Sequence, residues 1–418
     1  MNVLEHLKKR NYFYSKLPDF WANLYGTEYG LYDIQTVNDE FVFETREFAK
    51  KAGHLFFKTA QLLQSNTITD DTFLQMGYPK ETISFLRQRK SPFPTIIGRF
   101  DSVIVDGKHK LLEFNADTPT FIYELFKVNG LLCQEFGLNN PNELEEERLR
   151  TAINRALSSA IDNMEKDSLP NIVFTSHEDN IEDKNTVLYL QKLTQYPSKY
   201  VPLDQLRIVK GEALLDPDNQ VINILYRQTF PIESLIKDQD PTTHEKVGEQ
   251  LLELVNQNKL LILNPPSAFL LQNKAIMSVI WGLHEEASPF FSEEEHKWIE
   301  DYFLPTYLEP DQFIKDKVKY VKKPVFGREG DTIEIFDESG EKVEEDKNKS
   351  YTDYIPVYQK FVELPTTTYK TENGVKEGHM MIGTFLLNGA PSAFGFRVGD
   401  QITNNLSYFL PVGLKEKQ

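Results

Sequence analysis

The chain has 418 residues, which at roughly 100–200 residues per unit is enough for two or three packed units. Hydrophobic residues make up 40% and charged residues 26%, and 46 lysines and arginines stand against 63 aspartates and glutamates for a net charge of −17. Such a chain is too apolar to stay disordered and repels a phosphate backbone at long range; this argues against nucleic-acid binding, and any anionic ligand must be met by locally gathered Lys and Arg or by a bound cation.

The opening segment, Met1 to Arg10, holds no apolar signal core. No stretch reaches the ~20 apolar residues of a membrane helix. The most apolar segment, Leu260 to Leu271, is interrupted by Asn264, Pro265 and Pro266. A cytoplasmic protein without membrane partners is expected. Residues 1–95 read as mostly helical and aromatic-rich, with Asp70 and Asp71 as N-caps of a short helix and Pro79 near the first turn of another. The period then changes to two, where Phe100, Ser102 and Ile104 alternate with Asp101, Val103 and Val105.

Further along, the single cysteine, Cys133, sits in an apolar run; it excludes an intrachain disulfide or a Cys-based zinc cluster and reads as a buried thiol. Acidic Asn142 to Glu147 reads as a solvated helix face. Asn171 to Thr175 and Val221 to Tyr226 read as strands, and Asp183 to Leu193 and Asn273 to His284 as helices. From Phe313 the pattern is β-rich, with strands at 317–321, 332–336, 354–361, 379–387 and 392–397 and an exposed loop at 337–348. The fold class is mixed α/β: a helical part over 1–95, an α/β region over 96–310 and a β-rich lobe over 311–418.

The densest polar constellation spans Arg99 to Asp117, around the turn residues Asp106-Gly107-Lys108. A three-residue loop with a bulge pairs Val105 with His109, Asp101 with Glu113 and Arg99 with Asn115; those last four side chains then share one face, and Phe100, Ile104, Leu112 and Phe114 the other. A two-residue loop would place Asp101 opposite Leu112 and split the apolar face. Two facing carboxylates beside an amide form an all-oxygen donor set suited to magnesium. The alternative is a hairpin whose polar face meets water, with Arg99 balancing the acids.

A second constellation runs from Lys322 to Asp331, between two strands. Gly327 and Gly330 would let backbone N–H groups wrap a phosphate, and Lys323 and Arg328 add charge; a plain glycine turn is the competing reading. Lys274 opens a helix, Gln359-Lys360-Phe361 ends a strand, and Arg397 lies between Gly395 and Gly399. The eight histidines show no His-Glu-x2-His spacing and no Gly-x-Ser-x-Gly occurs, so zinc-peptidase and serine-hydrolase readings lack support.

The order of these pieces is more telling than any one of them. Arg99-x-Asp101, Glu113-Phe114-Asn115-Ala116-Asp117-Thr118-Pro119-Thr120, Lys274, Lys323-Pro324 with Gly327-Arg328-Glu329-Gly330, and Phe396-Arg397-x-Gly399 together resemble the synthetase region of the glutathionylspermidine synthase family over nearly the whole chain. The resemblance implies an ATP-grasp fold of glutathione-synthetase-like arrangement, with ATP and Mg2+ as cofactors. It implies ligation of a short-peptide carboxylate to an amine or polyamine through an acyl phosphate. By motif position, Asp101, Glu113 and Asn115 match magnesium ligands. Lys274, Lys323, Gly327, Arg328, Gly330, Gln359, Lys360 and Phe361 match ATP contacts, and Arg99 and Arg397 match arginines that stabilise transferring charge. Thr118 and Thr120 stand where glutathione-contacting members carry serine. Bifunctional members add an amidase domain that this chain is too short to hold. A related peptide ligase with other substrates, or a catalytically silent ATP-binding regulatory module, are the alternatives.

Overall fold

Three sheets of four or more strands, layered with helices, are seen in the computed structural model, which describes residues 2–89, 91–164, 170–328, 330–404 and 406–415. The N-terminal part is dominated by helix α1 (Asp39–Leu63), capped by Asn38, whose side chain accepts from the Phe41 N–H at 2.9 Å. Its buried stripe of Phe48, Ala52, Leu55, Phe56 and Leu63 follows the helical period and faces the sheet that carries the polar hairpin. This part is less purely helical than its sequence suggests: Gln35–Val37 forms a parallel pair with Val412–Leu414, tying the start of the chain to its end. Asp70 and Asp71 stand in the first turn of their helix, with Thr69 at the cap position.

Strands β1 (Ile97–Val105) and β2 (Lys108–Asn115) make the hairpin. Its turn has two residues, Asp106 and Gly107, at φ 51° and 77°, so Val105 pairs with Lys108 and not with His109. The register shifts further along the ladder: Ser102 pairs with Leu111 and Asp101 with Glu113, leaving Leu112 as a bulge. The bulge restores Asp101 opposite Glu113 and Arg99 opposite Asn115. It also moves Leu112 off the face expected for it, and it packs with Val103, Val105 and Met381. On the opposite face Phe100 and Phe114 stack at 4.1 Å between centroids, with Phe56 of α1 at 5.6 and 5.1 Å from them. Truncating either hairpin phenylalanine to alanine costs about 3–5 kcal/mol.

A parallel sheet follows, built from β3 (Ile172–Ser176), helix α2 (Ile181–Leu193), β4 (Ser198–Tyr200), β5 (Ile224–Gln228) and β6 (Leu261–Leu263), in the order β6-β5-β3-β4. Its two central strands, β3 and β5, are wholly buried, as strands covered on both faces are. Helices α3 (Pro266–Gln272), α4 (Ala275–Glu285) and α5 (Glu293–Tyr302) lead out of it, α5 closed by a Ser292–Glu295 capping box.

An antiparallel sheet comes next: β7 (Thr306–Tyr307), β8 (Tyr320–Pro324), β9 (Glu334–Phe336), β10 (Lys342–Glu345) and β11 (Pro356–Lys360), in the order β7-β11-β8-β9-β10. The acidic segment expected to be a loop is therefore partly a strand, β10, all of it exposed. The chain then returns through β12 (Thr366–Thr371), β13 (Gly374–Leu387), β14 (Ala390–Gly399) and β15 (Tyr408–Leu410), which join the hairpin in the order β15-β14-β13-β1-β2. Strands over 250 residues apart in sequence are thereby set side by side, with Gly383 opposite Asp101.

One further expectation is corrected. Cys133 is buried as expected and its thiol donates to the Val412 carbonyl at 3.1 Å, but Glu145 is not solvated. It is 2% exposed and accepts from Arg46, Arg148 and Ser392. An acidic run marks a helix N-terminus well; it says little about which of its members meets a cation.

Candidate active site

A cavity opens between the polar face of β1–β2 and the antiparallel sheet. Its floor holds Arg99, Asp101, Glu113 and Asn115; Lys323, Gln359, Lys360 and Phe361 come from the sheet above, and Arg328 and Gly330 from the glycine loop. Arg397 closes it from β14, and Thr118 and Thr120 from the segment after β2. Lys274 and Gly327 stand just behind: the Lys274 ammonium lies 3.1 Å from Glu113 Oε2 and donates to the Gly327 carbonyl. Glu329 of the glycine motif lies outside the described residues.

The floor is a continuous polar network. Arg99 grips Asp101 with two parallel bonds, Nε to Oδ1 at 2.7 Å and Nη2 to Oδ2 at 2.8 Å. The Asn115 amide donates to Asp101 Oδ2 at 3.1 Å and to Glu113 Oε1 at 3.2 Å, so both carboxylates and the amide converge on one point. Burial pushes the Asp101 carboxyl up, with Arg99 pulling against it. Burial acts the same way on Glu113, but Lys274 and Lys323 outweigh it and hold this carboxyl down at about 2. Lys323 is brought down to about 8 by its own burial, with Glu113 opposing and Lys274 adding to the shift; its ammonium donates to Gln359 Oε1 at 2.7 Å.

Among the described residues, five cationic side chains line the cavity (Arg99, Lys323, Arg328, Lys360 and Arg397) against three carboxylates (Asp101, Glu113 and Glu182), a local reversal of the chain's net −17. An anionic ligand is favoured here although the molecule as a whole repels it. The segment after β2 is held by the same arginines: Arg99 donates to the Thr120 carbonyl at 2.8 Å, and Arg328 to Thr118 Oγ1 at 2.7 Å. Gly330 sits at φ 70°, where an added Cβ would lie 2.4 Å from the Thr403 carbonyl oxygen and 2.8 Å from Ile402 Cγ2. Glycine is therefore required at 330 by backbone and by space, and the loop rests directly on the C-terminal return.

The chain matches the glutathionylspermidine synthase preATP-grasp family over residues 5–415. It belongs to that family. A Haemophilus influenzae protein carrying the provisional name acid–amine ligase is 22% identical over 333 residues, 76% of this chain and 74% of that protein. Among solved structures, a glutathione synthetase-like effector of Globodera pallida, in its apo form, superposes with a TM-score of 0.59 at 12% identity, covering 99% of this chain and 97% of that one. The likeness establishes the fold: this member of the glutathionylspermidine synthase family has the α/β architecture of the glutathione synthetases.

Several residues of the family member's site escape sequence reasoning. Asp117 and Arg227 form a fully buried ion pair at 2.5 Å, joining the segment after β2 to the end of β5. The signal was an arginine directly after the apolar run Ile224-Leu225-Tyr226, which needs a buried partner, but nothing in the sequence names one 110 residues away. Gln272, at the end of α3, accepts from the Ala116 and Asp117 N–H groups at 2.8 and 3.0 Å and so fixes the exit of β2. Tyr29 and Phe121 stand in the cavity wall without a motif to mark them. Glu233 is buried with neither carboxylate oxygen hydrogen-bonded among the described residues, and burial, opposed by Arg328, pushes it up to about 7.

Proposed function

We propose that the protein is an ATP-dependent carboxylate–amine ligase that forms an amide through an acyl phosphate and releases ADP and phosphate. One observation carries the reading. An acidic oxygen cluster, lysines of a glycine-loop sheet, and arginines from two strands distant in sequence line a single cavity, which is the equipment phosphoryl transfer needs. The provisional name of the Haemophilus influenzae relative supports the same reaction class.

In this account Lys274, Lys323 and the 327–330 loop with Arg328 hold the ATP phosphates, and Gln359 to Phe361 lie toward the base. A short-peptide carboxylate attacks the γ-phosphorus and ADP departs. Arg99 and Arg397 stabilise charge on the transferring group and then on the tetrahedral carbon when the amine attacks. Asp101 and Glu113 fit a magnesium ion by donor chemistry, each carboxylate keeping lone pairs beyond those given to Arg99 and Lys274, and Asn115, whose Nδ2 bridges the two acids, would add an oxygen by turning its amide. Magnesium, when bound with nucleotide, supplies charge neutralisation between phosphate oxygens. No described helix is long and apolar enough to cross a membrane. The substrates of the proposed reaction are small molecules.

The test is incubation with magnesium-ATP, a panel of short peptides including glutathione, and a panel of amines and polyamines. ADP with an amide detected by mass spectrometry supports the reading. No nucleotide consumption across the panel favours a silent ATP-binding module.

A further inference from the structure

Behind the cavity lies a buried acid that neither the ATP contacts nor the oxygen cluster uses. Glu124 opens a single π-helical turn, Glu124–Val128, three residues after Phe121 of the cavity wall. Such turns recur at functional sites. Its side chain is wholly buried. Oε1 accepts a hydrogen bond from the Tyr29 hydroxyl at 2.6 Å, and Oε2 has no hydrogen-bond partner among the described residues. Tyr29 itself belongs to the cavity wall, so the acid stands one hydroxyl away from the space where the chemistry takes place. A buried carboxylate with one bare oxygen is costly as a purely structural element and is the arrangement expected of a proton acceptor.

The charges around the pair fit that role. Arg397 and Arg99 act on Glu124 from β14 and β1, Tyr123 precedes it in the chain, and Tyr14, at the end of the helix Val3–Tyr14, faces it; Glu182 of α2 acts on Tyr29. Burial pushes the Glu124 carboxyl above its ordinary value, so it can keep a proton once it has one. The same two arginines that would stabilise the acyl phosphate also act electrostatically on the acid.

We infer that Tyr29 is the catalytic residue that deprotonates the acceptor amine, passing its own hydroxyl proton to Glu124, which acts through it as a positioning and proton-holding residue. The inference rests on the ligase reading above. The amine arrives as R–NH3+. One N–H proton moves to Tyr29 Oη as the Tyr29 proton moves to Glu124 Oε1. The freed lone pair forms the C–N bond, and the C–O bond to phosphate breaks with its electron pair leaving on phosphate. A second N–H proton departs with that phosphate as HPO4²⁻, and Glu124 returns its proton to solvent through Tyr29 after product release.

The experiment compares two nucleophiles with magnesium-ATP and the peptide panel. Hydroxylamine, already unprotonated at neutral pH, intercepts an acyl phosphate without a base; primary alkylamines and polyamines arrive as ammonium ions. Tyr29→Phe and Glu124→Gln should lower amide formation by roughly 10²–10⁴-fold and leave hydroxamate formation within about threefold, with Glu124→Asp recovering part of the loss. The retained hydroxamate also reports that the variants are folded. A measurement on the unaltered protein stands beside it: between about pH 6 and pH 9 the amide-to-hydroxamate ratio should change far less than tenfold per unit, because an internal base supplies free amine. Equal losses with both nucleophiles, or a tenfold rise per unit in the unaltered protein, would overturn the inference while leaving the ligase reading in place. Hydroxamate without amide from any amine would also overturn it. No hydroxamate from the unaltered protein with any peptide would remove the ligase reading, and the inference with it.

Discussion

Replacing Gly330 with alanine tests whether the glycine loop must lie closed on the C-terminal return. The backbone there is left-handed at φ 70°, which costs a residue with a side chain about 1–2 kcal/mol. The new Cβ would also stand 2.4 Å from the Thr403 carbonyl oxygen, an overpacking cost of roughly 1–3 kcal/mol. The sum, about 2–5 kcal/mol, disfavours the closed loop by a factor of roughly thirty to several thousand. The loop can relieve the strain by lifting, so global stability should fall little while the phosphate contacts through Arg328 are lost. Calorimetric titration with magnesium-ATP should show affinity weakened by about tenfold or more, with a Tm lowered by only a few degrees. The control is Gly107→Ala in the hairpin turn, where φ is 77° but no atom lies within 4 Å of the added Cβ. It should cost about 1 kcal/mol of stability and leave ATP affinity unchanged. Unaltered ATP affinity and turnover in Gly330→Ala would refute the closed-loop argument.

Asp101→Asn should abolish turnover and also cost about 3–5 kcal/mol of stability, because it leaves Arg99 buried without its charge partner; chemical denaturation reads the second effect. Glu113→Gln, at a side chain one-quarter exposed, separates the effects: a smaller loss of stability with turnover still suppressed. Arg397→Ala should lower kcat far more than it weakens ATP binding, whereas Lys323→Ala should weaken ATP binding directly, as titration and steady-state kinetics together would show. Glu233 gives a pH prediction. Its carboxyl is raised from an unfolded value near 4.5 to about 7, so protonation favours the folded state; stability is full below pH 4.5 and is lost as pH climbs toward 7. Glu233→Gln should therefore raise stability at pH 8 by up to about 3 kcal/mol and flatten the profile between those values, measured as Tm against pH.

Much of the site was legible because strand alternation and turn chemistry are local. Asp106-Gly107 announces a hairpin, and a polar face containing Arg99, Asp101, Glu113 and Asn115 follows once the register is known. The register itself was reached through a bulge placed at the turn, whereas the bulge lies at Leu112. A bulge is set by what both faces must bury, and Leu112 carries no mark of it. Glycine at 330 was read for its N–H groups, but the nearer constraint is steric, from Thr403 more than 70 residues on. The Asp117–Arg227 pair and the Glu145 cluster depend on partners far away in sequence, and solvation of an acidic run is a poor guide to a single carboxylate within it. Tyr29 and Glu124 were hidden differently. An aromatic residue in an aromatic-rich segment, and one acid on a mostly apolar turn, look like core and surface until the fold puts them 2.6 Å apart.

The central claim is the acyl phosphate, and the identity of the spent nucleotide tests it most directly. The protein is incubated with magnesium-ATP, the short-peptide panel and the amine panel, and the nucleotide product is separated and quantified. The account predicts ADP and inorganic phosphate in equal amounts, formed only when a carboxylate substrate is present. AMP and pyrophosphate as the main products would mean an acyl adenylate and would contradict it.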